Sequence, residues 1–230
     1  MKLFSKMLAT AGLAAIAMGV SAPASAQVQG RVATADVSRA ILGTQALQNA
    51  YNQIGTTYSA QIEQRQTKQT ELANLLRPFD TNGNGQLDDA ELPAVQGSTS
   101  FTRIQTLEQE MQAITNQVNA ARIYAVEQIL QQYPAALTEV TTQQQIVMVL
   151  QPDTIQFAAD GADITQQITT SLNTKVPSVQ IVPPADYRPS RNGAQIFQEI
   201  QQTLVTAQLI QQQQAAQQGQ QPAAQAPAGR

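Results

Sequence analysis

The chain has 230 residues, with 13 Lys and Arg, 16 Asp and Glu, and neither His nor Cys, and its formal net charge is −3. The lack of His removes the commonest general base and transition-metal ligand, and the lack of Cys removes thiol nucleophiles, thiolate metal sites and disulfide bonds. The acidic balance argues against a nucleic-acid partner. A hydrolase with paired carboxylates is the weakest alternative, because acidic residues cluster in only one loop. We therefore expect a protein that is not an enzyme.

Residues 1–26 predict a cleaved signal peptide. Two lysines precede an apolar run at residues 7–20, and residues 24–26 form an A-x-A cleavage motif. A membrane anchor is the alternative, but the run is short for a helix that spans a bilayer. Cleavage after Ala26 would leave an exported protein with 11 basic and 16 acidic residues, a net charge of −5.

The next predicted elements are a short strand and the first of two long helices. Residues 32–37 form a β-prone run that leads into a helix start near Ser38 or Thr44. From Thr44 to Arg77 there is no proline, and apolar residues recur mostly at intervals of three or four, which predicts one long helix. These residues are Leu47, Tyr51, Ile54, Tyr58, Ile62, Leu72 and Leu76.

A second heptad-like pattern begins at Phe101 and ends before Pro134. Its other apolar positions are Ile104, Leu107, Met111, Ile114, Val118, Ala121, Ala125 and Ile129. Each predicted helix has about 33 residues, which corresponds to a length of roughly 50 Å. Two helices of equal length joined by a compact loop predict an antiparallel coiled-coil hairpin over residues 44–133, which we call the arm.

The loop between the arm helices has the pattern of an EF-hand calcium loop over residues 80–91. Oxygen-bearing groups occupy every ligand position of such a loop, and Gly85 stands where a positive φ is needed. The predicted ligands are Asp80, Asn82, Asn84, the Gln86 carbonyl, Asp88 and Glu91. We expect Ca²⁺ to bind at this arm tip with a dissociation constant of about 10⁻⁴ to 10⁻³ M, because two ligands are amides and no second loop is present.

A polar turn before an acidic helix start is the alternative interpretation of this loop, because Asp, Asn and Gly are common turn residues. A bound cation would either only hold the turn or would also neutralise and stiffen the tip. In the second case it could link the acidic tip to anionic lipid, to lipopolysaccharide or to a client protein.

Residues 27–43 and 134–177 are predicted to form a small β-body at the base of the arm. Residues 146–150 are an apolar strand, and residues 154–158 are its predicted neighbour across a Pro-Asp turn. An amphipathic helix ending at Lys175 follows. Its apolar face consists of Ile164, Ile168 and Leu172. Three strands and a helix with a projecting hairpin define an α+β fold.

The C-terminal part of the chain has a different composition. Residues 178–210 predict an extended, proline-containing linker followed by a possible helix over residues 196–210. Residues 211–230 are a Gln/Ala/Pro tract that is predicted to be disordered, because it cannot bury a core. A glutamine-rich aggregation segment is the alternative, but its Pro and Gly residues argue against it.

These elements together resemble the Skp/OmpH family of periplasmic chaperones. The resemblance covers residues 32–76 and 101–176 and includes the strand at residues 32–39 and the long hairpin. Its most specific part is the strand, Gly-Ala-Asp-Ile-Thr and helix sequence at residues 154–172. The resemblance implies a homotrimer with a central β-body and three arms around a cavity. That cavity would hold unfolded outer-membrane proteins in the periplasm without nucleotide hydrolysis.

Two functional hypotheses follow from this sequence. The first is an ATP-independent holdase chaperone that binds unfolded outer-membrane proteins. The second is a calcium-responsive binding or scaffold protein of the envelope with a folded partner or a surface polysaccharide. Family members are commonly basic, whereas the mature chain here is acidic, so electrostatic capture of acidic clients should be weaker.

Overall fold

The computed structural model describes residues 30–159 and 161–218. The predicted signal peptide and residues 219–230 of the predicted tail lie outside this part of the chain. The described chain is mostly helical and contains two strands, β1 and β2. In chain order the elements are β1 (Arg31–Thr34), α1 (Val37–Leu42), α2 (Gln45–Thr57), α3 (Ser59–Leu76), α4 (Leu92–Gln96), α5 (Phe101–Leu130), α6 (Tyr133–Gln143), β2 (Ile146–Leu150), α7 (Thr165–Lys175) and α8 (Arg191–Gln218).

The sheet consists of β1 and β2 in parallel, with Val32 opposite Met148 and Thr34 opposite Leu150. Parallel neighbours need a crossover connection, and here the entire arm provides it. Ala33 on β1 is buried and Val149 on β2 packs against the core, so this face of the sheet is the inner one.

The predicted third strand at residues 154–158 is absent from the described structure. Pro152–Thr154 forms a 3₁₀ turn, and Phe157 is 86% exposed. The free edge of β1 is instead occupied by another segment, because the Thr34 N–H donates to the Ala162 carbonyl at 2.8 Å and the Ile164 N–H donates to the Thr34 carbonyl at 2.9 Å. The prediction that residues 154–158 form a strand beside residues 146–150 was therefore wrong.

The arm is an antiparallel hairpin in which α2 and α3 pack against α5. The prediction of one helix over residues 44–77 was wrong at Tyr58, which separates α2 from α3 with φ −102° and ψ 18°. Gly55, Thr56 and Thr57 precede the break, and all three are weak helix formers. Tyr58 itself is buried against α5 beside Val118 and Ala121.

The segment after the arm is also more helical than the sequence indicated. Pro134 was expected to end the second arm helix and to begin the β-body. The structure ends α5 at Leu130 and places Pro134 in the first turn of α6. A proline in a first turn costs no hydrogen bond, because the N–H groups there have no helical partner.

One hydrophobic core joins the sheet, the root of the arm and helices α1, α6, α7 and α8. The predicted apolar face of α7 is confirmed, because all three of its residues are fully buried. Among the largest fully buried side chains of this core are Ile41, Leu47, Ile129, Ile164, Ile168, Leu172 and Ile200.

Helix α8 is longer than predicted, since it continues to Gln218 across residues that were expected to be disordered from residue 211 onward. Ile196 and Ile200 anchor its first half in the core. The linker before it packs against the protein as well, through Val179 and Ile181. None of the helices in residues 30–159 and 161–218 is long and apolar enough to cross a bilayer.

Replacing Ile200 with Ala should lower the free energy of unfolding by about 2–5 kcal/mol, because it leaves a cavity where α8 meets the core. The matched control is Val205→Ala on the same helix, where the side chain is 54% exposed and the expected change is within about 0.5 kcal/mol. Urea unfolding measures both. Equal effects of the two substitutions would contradict the docking of α8.

Candidate functional site

The two helices contribute unequally to the packing of the outer part of the arm. Helix α3 has no buried residue, whereas α5 buries Ile104, Leu107 and Ile114 along the same stretch. These three side chains belong to neither of the two apolar clusters at the root and in the body, so the outer arm has a smaller core than its root to resist splaying. The polar character of α3 thus gives the arm a compliant outer part on a well-packed root.

Ion pairs link the two helices of this outer part. Arg103 on α5 donates from Nε and Nη2 to the two carboxylate oxygens of Glu71 on α3, at 2.7 and 2.9 Å. Lys68 Nζ lies 2.6 Å from Glu110 Oε2. The hydrogen bond from Arg103 holds the pKa of Glu71 below its ordinary value. These exposed pairs fix the register of the helices more than they stabilise them.

At one critical position, the backbone of the tip loop has the conformation that the sequence predicted. Gly85 has φ +77°, a conformation that favours glycine. The Asp80 carboxylate accepts from the N–H groups of Asn84 at 3.1 Å and Gly85 at 2.8 Å. Asn82 Oδ1 also accepts from the Asn84 N–H, at 3.0 Å, and Asn84 Oδ1 accepts from the Gln86 N–H at 2.7 Å. These successive hydrogen bonds from backbone N–H groups to side-chain oxygens therefore hold the loop in a compact turn.

Glu91 closes this loop by reaching back to its start. Its Oε1 accepts from the Thr81 N–H at 2.6 Å and from the Thr81 hydroxyl at 2.7 Å, while Oε2 accepts from the Asp88 N–H at 3.2 Å. The residue is only 5% exposed. The Thr81 hydroxyl, followed by the backbone N–H groups, lowers the pKa of Glu91 against the opposing effect of burial.

The six predicted calcium ligands are thus only partly brought together. Asn82 Nδ2 donates to Asp88 Oδ2 at 3.0 Å across the loop. In residues 30–159 and 161–218, however, no three acidic side chains approach one another closely enough to form a metal-binding group. The residue types suit Ca²⁺, but the loop's own N–H groups occupy the carboxylates of Asp80 and Glu91. Calcium binding remains a prediction from the sequence.

A second candidate surface lies on the outer face of the sheet, opposite the core. Val32 lies opposite Met148, and Ala33 and Val149, which face the core, follow them in their strands. Val32, Met148 and Leu150 are all exposed although they are large and apolar, as is the neighbouring Val147. We call Val32, Met148 and Leu150 the outer sheet face. The outer edge of β2 has no strand partner among the described residues, and an apolar strand surface beside such an edge is typical of a site that another protein covers.

The fold is therefore a helical-hairpin arm rooted in a small body with a two-stranded sheet. Residues 31–172 match the family model described as "Outer membrane protein (OmpH-like)", and the chain belongs to the OmpH-like family. The linker and α8 lie beyond the matched residues. No curated protein matches the sequence. One similar solved structure is that of a "putative outer membrane chaperone (OmpH-like)" from Caulobacter crescentus CB15, which has 17% identity and a TM-score of 0.44 and covers 70% of this chain and 95% of that chain.

Glu91 should titrate with a midpoint below the ordinary value of 4.5. Because its pKa is lowered in the folded loop, its contribution to loop stability is complete above the ordinary value of 4.5 and is lost as the pH falls through the lower folded value. The Thr81 amide proton, followed by NMR during acid titration, reports this change.

Glu91→Gln should shift the Thr81 amide resonance and abolish its dependence on pH in this range. Asp89→Asn is the matched control, since Asp89 is an exposed acidic residue of the same loop. A Thr81 midpoint at or above 4.5 in the unaltered protein would contradict the loop closure by Glu91.

Proposed function

We propose that the protein is an ATP-independent holdase chaperone of the periplasm, which binds unfolded outer-membrane proteins between its arms. The observation that carries this proposal is the OmpH-like family match over residues 31–172, which includes both strands and the whole arm. Members of the Skp/OmpH family act as periplasmic chaperones of outer-membrane proteins. The predicted signal peptide is consistent with that location.

The compliant arm supports the proposed mechanism. A client with exposed apolar strands gains free energy when it leaves water, and weak contacts spread over a large surface allow it to depart again. An arm with a well-packed root and a thinly packed outer part can change its opening without unfolding at the base. Clients of different size could then occupy one cavity.

The enclosed cavity requires several copies of the chain, and we propose a homotrimer assembled through the outer sheet face. Burial of Val32, Met148 and Leu150 against neighbouring copies would remove apolar surface from water. It would also cover the unpaired edge of the sheet, which otherwise invites aggregation. The three arms would then project from one central body.

Met148→Asp should abolish both the trimer and the holdase activity, since a carboxylate at the centre of the outer sheet face cannot be buried without a partner. Light scattering gives the mass of residues 27–230, and turbidity follows the aggregation of a urea-unfolded β-barrel membrane protein without ATP. Phe157→Asp is the control, because Phe157 is also large, apolar and exposed, at 86% against 45% for Met148, but lies off the sheet. An unaltered protein that stays monomeric, or that fails to slow aggregation, would refute this function.

A calcium-responsive envelope protein is the second candidate, favoured by the positive φ of Gly85 at the position where the EF-hand pattern requires it. The residues that would hold Ca²⁺ are Asp80, Asn82, Asn84, Gln86 through its carbonyl, Asp88 and Glu91. The ion would neutralise the tip and fix the angle between the arm helices. It could also bring the tip to anionic lipid or lipopolysaccharide.

Calcium titration should shift the NMR resonances of the tip loop with a dissociation constant of about 10⁻⁴ to 10⁻³ M. Asp80→Asn should weaken this response at least about tenfold, because it removes a charged ligand. Asp153→Asn, in the turn after β2, is the control and should leave it unchanged. Loop resonances and client binding that are the same in chelator and in millimolar calcium would exclude the second candidate.

A further inference from the structure

A cavity of about 280 Å³ lies between α3 and α5, on the body side of the ion pairs that link the arm helices. Ile62, Ile114 and Val118 form its apolar floor. The side chains of Arg65 and Arg122 also line it, one from each helix. We call this site the arm pocket. Its volume is just below the range of about 300–1,000 Å³ that is usual for small-molecule sites.

The two arginines of the arm pocket have no carboxylate partner within the described chain. Lys68 and Arg103, nearer the tip, are paired with Glu110 and Glu71, but no acidic oxygen of the described residues comes within 4.0 Å of Arg65 or Arg122. Both guanidinium groups belong to half-buried residues. A half-buried cation loses part of its hydration, so an acceptor at this place would be bound favourably.

The two arginines differ in how many contacts their side chains make with the described part of the protein. Arg122 lies over the ring of Tyr51, with 5.9 Å between its Cζ and the ring centroid, and its Nη1 is 3.5 Å from Asn119 Oδ1. These are weak contacts that leave most of its five N–H donors without a protein acceptor. Arg65 has no side-chain hydrogen bond to any described residue of the protein. The pocket therefore offers two planar donor groups beside an apolar floor.

We propose that the arm pocket binds a carboxylate that is adjacent in sequence to a large apolar side chain, on an unfolded polypeptide. A planar guanidinium group can donate two parallel hydrogen bonds to the two oxygens of a carboxylate, and the apolar floor of the pocket can bind the neighbouring apolar side chain. The volume accommodates one or two side chains and is too small for the acyl chains of a lipid. This proposal rests on the proposed function, and it names a preferred feature of the client.

Such a site would bind acidic clients that the protein as a whole repels. The mature chain carries a predicted net charge of −5, so its long-range field disfavours anionic partners. Two arginines that have no carboxylate partner among the described residues act at short range in this pocket, where screening is weaker than at the open surface. The pocket thus gives a local, orientation-dependent contact on an arm that otherwise binds without sequence preference.

Two peptides test the proposal on the full mature chain. Acetylated and amidated Gly-Asp-Trp-Asp-Gly presents carboxylates next to an indole, and Gly-Asn-Trp-Asn-Gly is its neutral match. The protein contains no tryptophan, so the fluorescence of the peptide reports binding without a label. The acidic peptide should bind about tenfold more tightly than the amide peptide, since charge-assisted hydrogen bonds to guanidinium are the stronger kind.

Substitution of the arginines should remove this preference. Arg65→Gln alone should reduce it severalfold, and it leaves the packing of Arg122 on Tyr51 in place. The double variant with Arg122→Gln should bind both peptides equally, while Arg188→Gln in the exposed linker is the matched control and should bind as the unaltered protein does. Circular dichroism checks that each variant is folded.

Equal binding of the two peptides by the unaltered protein, or a preference that survives in the double variant, would overturn the proposal. Arginine-dependent binding to phosphatidylglycerol vesicles without any peptide preference would also overturn it, in favour of a lipid. Aggregation of the unfolded barrel is measured in parallel. If the protein suppresses aggregation but binds both peptides equally, only the proposal for the arm pocket is refuted. If it prefers the acidic peptide but does not suppress aggregation, only the proposed holdase function is refuted.

Discussion

The packing of the second half of α5 is the constraint on which the rest of the structure depends. Val118 and Ala121 belong to the apolar cluster at the root of the arm, and Ala125, Val126 and Ile129 belong to the core of the body. One continuous helix therefore serves both units, so the arm cannot pivot at this point without breaking helical hydrogen bonds. The direction of the arm is fixed where it leaves the body, and its compliance is confined to the outer part.

The segment beyond the family match reinforces this root through polar contacts. Glu127 accepts from the Tyr187 hydroxyl and from the Ser190 N–H, both at 2.7 Å, and Gln128 exchanges two hydrogen bonds with the Gln180 backbone. Burial, and then the hydrogen bond to Glu127, raises the pKa of Tyr187. These hydrogen bonds hold the linker against α5, just ahead of the start of α8 in the sequence. The linker and α8 therefore add contacts to the root of the arm that a helical hairpin joined only to a sheet would not have.

Local patterns in the sequence predicted the elements that depend on local physics. The heptad spacing located the arm, and the spacing of Gly85 located its positive φ, because each is set by residues close in sequence. The third strand failed because Pro152–Thr154 forms a 3₁₀ turn and the chain then leaves the sheet, with Phe157 86% exposed, before it returns at Ala162 and Ile164 beside β1 and not beside β2. Pro134 ends one helix or begins another with the same local signal, and only tertiary packing decides between them. The predicted calcium site requires the carboxylates of one loop to converge on a single point, which their spacing in the sequence alone does not establish.

The charges of the arm show why a balance of acidic and basic residues is a poor guide to a binding site. Outside the tip loop at residues 80–91, the arm carries five cations and five anions, so the count alone indicates a neutral surface. In space, Arg103 and Lys68 take their partners near the tip, and Arg65 and Arg122 are left beside apolar side chains. Pairing near the tip thus leaves two arginines of the described chain without a carboxylate partner a short distance nearer the body. Where a charge lies relative to its neighbours determines what the surface can recognise, and the net charge does not.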